Sequence, residues 1–192
     1  MCRPDEPACL VIDPGAEPSR ILEVIEERKL EPIAVLVTHG HIDHVGGVAA
    51  VARSTGAPVY ISRREAPWLR ELSGSDYPGY QDAAPHEPDH LLEGGERLEL
   101  GPWSIDVRSV PGHSPGSVAF AIDGALYSGD VLFAGSVGRT DLREGDWPTL
   151  QASIASLLAE YPPETPVLSG HGGPTTLGHE RATNPFLEEL RR

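Results

Sequence analysis

VLVTHGHIDHVGG, residues 35–47, packs His39, His41, Asp43 and His44 between an apolar run and a pair of glycines, in a chain that has only eight histidines. Ordinary packing gives no reason for such crowding. His39 and His41 stand two apart at the end of an apolar run, so in extended backbone they point to the same side. Asp43 and His44 follow where the chain turns into a helix and approach the same space from another direction. Imidazole and carboxylate are good ligands for zinc and related divalent ions. Gly40, Gly46 and Gly47 allow tight turns and close backbone approach.

Three further segments set a ligand type beside glycine after an apolar run: VPGHSPGS with His113, LYSGDVLF with Asp130, and VLSGHGGP with His171. Each run would deliver its residue to the rim of the same sheet. Five histidines and two aspartates make seven ligands. That is too many for one tetrahedral metal and fits two ions sharing a bridge.

The elements that must position these groups alternate. ACLVID (8–13) reads as a strand and PGAEP as its turn. SRILEVIEERKL, from Ser19, reads as a surface helix opened by a serine cap. PIAVLV (32–37) is an unbroken apolar strand of the kind buried on both faces. A helical HVGGVAAVARSTG follows, then the strand PVYIS and a helix containing REAPWLREL. Residues 73–93 are rich in Pro, Gly and Asp without a sustained period, as in functional flaps or linkers. Then come short strands, RLELG, WSIDVRSV, SVAFAID and ALYSGD, whose turns suggest antiparallel pairing. A helix over 147–160, a strand PVLSG and a terminal helix NPFLEELRR complete the pattern. An α/β fold in four layers, an αββα sandwich, satisfies all of this.

Composition narrows the partners. A chain of 192 residues is most simply one domain, 1–192. A formal net charge of −14 argues against non-specific binding to nucleic acid or anionic lipid, yet favours bound cations. No apolar run approaches the roughly 20 residues that span a bilayer. The first residues also lack the order of a secretory signal. The two cysteines, Cys2 and Cys9, have no metal-site spacing; Cys9 reads as buried, Cys2 as free, and a reducing cytoplasm suits both.

The ligand set, its order and its strand context together resemble the metallo-β-lactamase superfamily, from VIDPG to RATNPF. The resemblance implies a first metal site of His39, His41 and His113. It implies a second of Asp43, His44 and His171, with Asp130 bridging both. Zinc is the first expectation for the two divalent ions, with iron or manganese as alternatives. Asp13 in VIDPG matches a motif that supports the ligands from behind, or else caps a turn. GSVGRTDL and GHGGPTTLGHERATNPF look most like short glyoxalase II-type proteins, hydroxyacylglutathione hydrolases or related thioester hydrolases. Full-length glyoxalase II carries a C-terminal helical domain for glutathione; the expectation that this chain lacks it leaves another acyl-thiol open.

In such a site two cations lower the pKa of a shared water, and the bridging hydroxide attacks a thioester carbonyl. Asp43 and Asp130 orient it, and the thiolate leaves without a strong general acid. Arg139 is the candidate for an anionic end of the substrate; its alternative is a structural pair with Asp141. Tyr77 and Tyr80 are candidates to cover the site, or else exposed loop aromatics. His86, His90 and His179 read as surface histidines. From the resemblance, the family's first strand and most of its second are expected to precede Met1, with MCRPDEPACLVID as strand end, turn and strand. A late start would explain this, and the expectation is an exposed sheet edge that pairs with a second copy or costs stability. Other readings are a persulfide dioxygenase with one iron on His39, His113 and Asp130, a lactonase, and a non-catalytic binding module.

Overall fold

The structure is a computed structural model and describes residues 1–4, 6–142 and 144–191. The chain divides into two compact units, Met1–Glu93 with Leu100–Pro102, and Gly94–Glu99 with Trp103–Arg192.

The first unit is a sheet of four strands, β1 (Ala8–Ile12), β2 (Glu31–Leu36), β3 (Val59–Ser62) and β4 (His90–Leu92), side by side in that order and all parallel. Parallel strands need crossovers, and helices supply them: α1 (Pro18–Glu27), α2 (Ile42–Val45), α3 (Val48–Thr55) and α4 (Ala66–Arg70). Every residue of β3 is buried. Val35, Val37, Val48, Val51, Ile61 and Leu69 form the core of this unit. Apolar side chains on consecutive strand residues are what two covered faces require.

Three expectations change here. The first helix is not opened by a serine. It starts at Pro18, and Glu17 occupies the cap in a left-handed conformation at φ 48°. Proline's fixed φ and missing N–H suit the first helical turn, so the start falls one residue earlier and Ser19 lies inside. The glycine-rich HVGG does not belong to one helix: α2 ends at Val45 with Gly46 as its C-cap, and Gly47 is the N-cap of α3. The irregular 73–93 segment contains a 3₁₀ turn, Gly74–Asp76, and then β4, whose three residues are too few to show a period.

Upstream of β1, Met1 and Leu10 exchange backbone hydrogen bonds and Cys2 stands opposite Cys9 in antiparallel pairing. That is the expected strand end and returning strand. Asp5, between them in sequence, lies outside the described residues.

The second unit is mostly antiparallel. Its strands are β5 (Arg97–Leu100), β6 (Trp103–Ser109), β7 (Val118–Ile122), β8 (Ala125–Gly129), a small hairpin of β9 (Leu132–Phe133) and β10 (Ser136–Val137), β11 (Pro166–Ser169) and β12 (Thr175–Thr176). The larger sheet runs β12-β11-β8-β7-β6-β5. β6–β7 and β7–β8 are antiparallel as expected, while β11 lies parallel to β8. Burial alternates along β6, where Trp103, Ile105 and Val107 face inward. Helix α5 (Trp147–Glu160) packs Leu150, Ile154 and Leu157 in one core with Ala119, Leu126 and Val167. Asp146 caps it, accepting from the Thr149 N–H at 2.9 Å.

Beyond β12 the chain forms α6 (Leu177–Thr183), which the sequence pattern did not suggest. The expected terminal helix is 3₁₀ over Pro185–Arg191. Asn184 and Pro185 break the α ladder, and the next turn tightens so that Leu187 N–H reaches the Asn184 carbonyl at 3.1 Å. Among the described residues no helix is long and apolar enough to cross a membrane.

Candidate metal centre

In the first unit, β1 and β2 end side by side, and everything that matters follows them. Asp13 leaves β1 with φ 47°, a left-handed conformation that aspartate tolerates better than most residues. Its Oδ1 accepts from the Thr38 N–H at 2.7 Å, and its Oδ2 accepts from the Thr38 hydroxyl at 2.6 Å. The same Oδ2 meets His44 Nδ1 at 2.9 Å. A carboxylate only accepts, so His44 carries its proton on Nδ1 and presents Nε2 as a lone pair. Thr38 passes the arrangement on. Its hydroxyl proton is given to Asp13, so its oxygen accepts from His39 Nδ1 at 3.0 Å, and His39 also presents Nε2. Asp13 is therefore a support for ligand-type histidines and more than a turn cap.

The imidazoles gather closely. The ring centres of His39 and His44 are 4.0 Å apart, and those of His39 and His41 are 4.7 Å apart. His44 Nε2 lies 3.7 Å from Asp43 Oδ2. Glycine makes the approach possible: a Cβ on Gly15 would sit 1.6 Å from the Asp43 carbonyl oxygen. A buried carboxylate missed by sequence reasoning, Glu65, accepts from the Gly40 N–H at 2.9 Å and holds the backbone between His39 and His41. The His41 ring meets Trp68 edge-on at 5.8 Å.

Tyr80 packs onto this segment, since a Cβ on Gly46 would meet its ring at 2.7 Å. Burial first, and the Asp43 charge second, push its phenol pKa up, so it stays a proton donor at neutral pH. Tyr77 is exposed. Of the three histidines outside any motif, His179 is exposed, His90 stacks on Tyr60 with ring centres 4.2 Å apart, and His86 is half-buried.

In the second unit the donors come from separate strands. His113 follows β6, Asp130 follows β8, and His171 follows β11. Because β8 and β11 are neighbours, with Gly170 N–H on the Gly129 carbonyl at 3.0 Å, Asp130 and His171 emerge together. Asp130 Oδ2 is 3.4 Å from His171 Nε2 and 3.7 Å from His113 Nε2. Asp130 is thus the hub of this half. His113 Nδ1 donates to the Arg139 carbonyl at 2.8 Å, which again leaves Nε2 facing the donors. Gly138 lets that carbonyl come in, since a Cβ there would lie 1.8 Å from the Asp130 carbonyl oxygen.

The Arg139 side chain points elsewhere. It is exposed and forks onto Asp141, Nε to Oδ1 at 2.7 Å and Nη2 to Oδ2 at 2.8 Å. The guanidinium lowers the Asp141 pKa to about 2. Sequence reasoning also missed Glu180 of α6, which is fully buried. Its carboxylate accepts from Gly135 N–H at 2.9 Å, Thr175 Oγ1 at 2.6 Å and Asn184 Nδ2 at 2.8 Å, clamping the hairpin between Asp130 and Arg139. Nothing in the sequence marked Glu180, because a charged residue in a polar stretch reads as solvated.

Imidazoles that present Nε2 with carboxylate oxygens beside them are a donor set for divalent cations. Such a set on a mixed α/β chain defines a metallo-hydrolase class. The sequence from residue 5 to 171 matches the model of the metallo-beta-lactamase superfamily, and the chain belongs to that family, whose fold it has.

Its relatives include the probable metallo-hydrolase YqgX of Bacillus subtilis, 43% identical over 93% of this chain and 87% of that protein. The hydroxyacylglutathione hydrolase GloC of Haemophilus influenzae is 35% identical over 95% and 89%. Among solved structures, the B3 metallo-beta-lactamase BLEG-1 superposes with a TM-score of 0.89 at 40% identity, over 97% of this chain and 92% of that one. TTHA1623 in a di-iron-bound form gives 0.80 at 43%, over 92% and 88%.

Proposed function

We propose that this protein is a thioester hydrolase with two divalent cations, acting on a hydroxyacyl-glutathione or a related acyl-thiol. His39, His41 and His113 would hold one cation, and Asp43, His44, Asp130 and His171 would hold the other. The observation that carries the reading is the fixing of Nδ1 at His39, His44 and His113, each by a different partner, so that every one of these rings offers Nε2. Zinc is the first candidate. The di-iron form of TTHA1623 supports iron as the alternative, and manganese suits the same donors.

When bound, the cations supply Lewis acidity to a carbonyl oxygen and make a water acidic enough to attack at neutral pH. The carboxylates of Asp43 and Asp130 accept hydrogen bonds from that water and fix its direction. The leaving thiolate is stable and needs no strong acid. The protonated Tyr80 phenol offers a donor beside Asp43, and Tyr77 lies three residues away on the same loop. An anionic substrate end would compete with Asp141 for Arg139. The reading includes a cytoplasmic protein of one domain, acting without nucleic-acid or membrane partners and pairing as a homodimer.

The hydroxyacylglutathione hydrolase relative supports the thioester. BLEG-1 favours a second reading, cleavage of a β-lactam by the same donors. The test is a panel of lactoyl-glutathione, other thioesters, a lactone and a β-lactam on protein of measured metal content, with oxygen uptake on glutathione persulfide alongside. Thioester turnover should dominate. Faster turnover of lactam or lactone, or oxygen uptake on the persulfide, overturns the reading.

A further inference from the structure

The chain has two cysteines in 192 residues, and the fold sets them opposite one another. Met1 and Leu10 exchange the backbone hydrogen bonds of this antiparallel pairing, so Cys2 and Cys9 form the adjacent pair that exchanges none. Such pairs have Cα atoms about 4.5 Å apart with both side chains on one face, inside the ~4.4–6.8 Å range that a disulfide spans. Both thiols are free here; Cys2 is exposed and Cys9 is buried. Burial pushes the Cys9 thiol pKa up, so Cys9 is the poorer first nucleophile.

Cys2 also has unusual surroundings for an acidic protein. It opens on a cleft of about 520 Å³ whose charged lining, among the described residues, is Arg3, Arg28, Lys29 and Glu6. A cationic rim attracts anions.

We infer that Cys2 and Cys9 are a reversible thiol pair, oxidised by a small disulfide that carries carboxylates. The Cys2 thiolate attacks one sulfur of that disulfide, forming a mixed disulfide and releasing one thiolate. Cys9, as thiolate, then attacks the Cys2 sulfur and releases the second. Two protein thiols and one small disulfide become one protein disulfide and two small thiols. The bond ties the chain start to β1, the strand that runs into Asp13.

The experiment uses oxidised glutathione on the reduced full chain, followed by intact mass and thiol titration. The expected product is a monomer lighter by two hydrogens, with no free thiol, restored by a reductant. Its melting temperature should rise by roughly 5 °C, as closing a short loop implies. Cys2→Ser should show neither change and keep its fold, since the site is exposed. Arg28→Glu with Lys29→Glu should slow oxidation roughly tenfold, with little effect on oxidation by an uncharged disulfide such as hydroxyethyl disulfide. A lasting glutathione adduct on Cys2, a disulfide-linked dimer, or unchanged thiols would overturn the proposal.

Discussion

The two units hold their donors by different means. In the first, four donors stand within six residues, and side chains support them: Asp13 and Thr38 behind His39 and His44, Glu65 behind Gly40. In the second, three donors come from three strand ends, and the support for His113 is a backbone carbonyl. Support by side chains can be removed with one substitution. Support by a carbonyl survives any change at its own residue and yields only when the backbone moves. The first half should be fragile to point mutation, and the second fragile to changes of chain path.

The largest expected effect would break the symmetry of this comparison at its hub. Asp130→Asn should bring hydrolysis to background and lower metal content, because Asp130 lies between His113 and His171; elemental analysis and thioester turnover check it. Next comes the first unit's support. Asp13→Asn keeps a residue that tolerates the left-handed backbone but removes the carboxylate from His44 and Thr38. Metal affinity should fall roughly 10–100-fold, read by competition with a chelator. An unchanged affinity would remove the distinction between the halves.

Arg139→Ala sharpens it from the other side. The carbonyl that holds His113 remains, so metal content should be unchanged, while the KM for an anionic thioester rises several-fold, by roughly 1 kcal/mol of binding. A loss of metal would show that the guanidinium matters to the site through its pair with Asp141. The smallest effect lies away from both donor sets. Burial holds the His86 pKa below its ordinary 6.5, so folding disfavours the proton. Its contribution to stability is fully present above the unfolded value and is lost as pH falls through the folded one. The melting temperature should therefore drop between neutral pH and about pH 5, less steeply in His86→Gln.

The same contrast explains what the sequence disclosed. The first unit's donors were legible because they are adjacent and flanked by glycines that have a steric purpose, Gly46 and Gly47. Helix α5 was legible to its ends because Asp146 caps it and its apolar residues recur at helical spacing. The strands β9, β10 and β12 have two residues each and no period to read. Helix α6 buries Leu177 and Glu180 and carries no apolar stripe. Glu65 and Glu180 were invisible for one reason: a carboxylate gives no sign in sequence that backbone N–H groups wait for it inside. The serine cap failed because Pro18 could serve the first turn itself.

Glu180 has a consequence for the order of assembly. Synthesis runs from N- to C-terminus, so β9, β10 and Asp130 leave the ribosome before the carboxylate that accepts from Gly135 exists. Until α6 arrives, the hairpin beside Asp130 lacks its clamp, and a nascent chain should hold this acid less firmly than the finished protein does. Competence would come late in translation, set by a residue that never touches the ion.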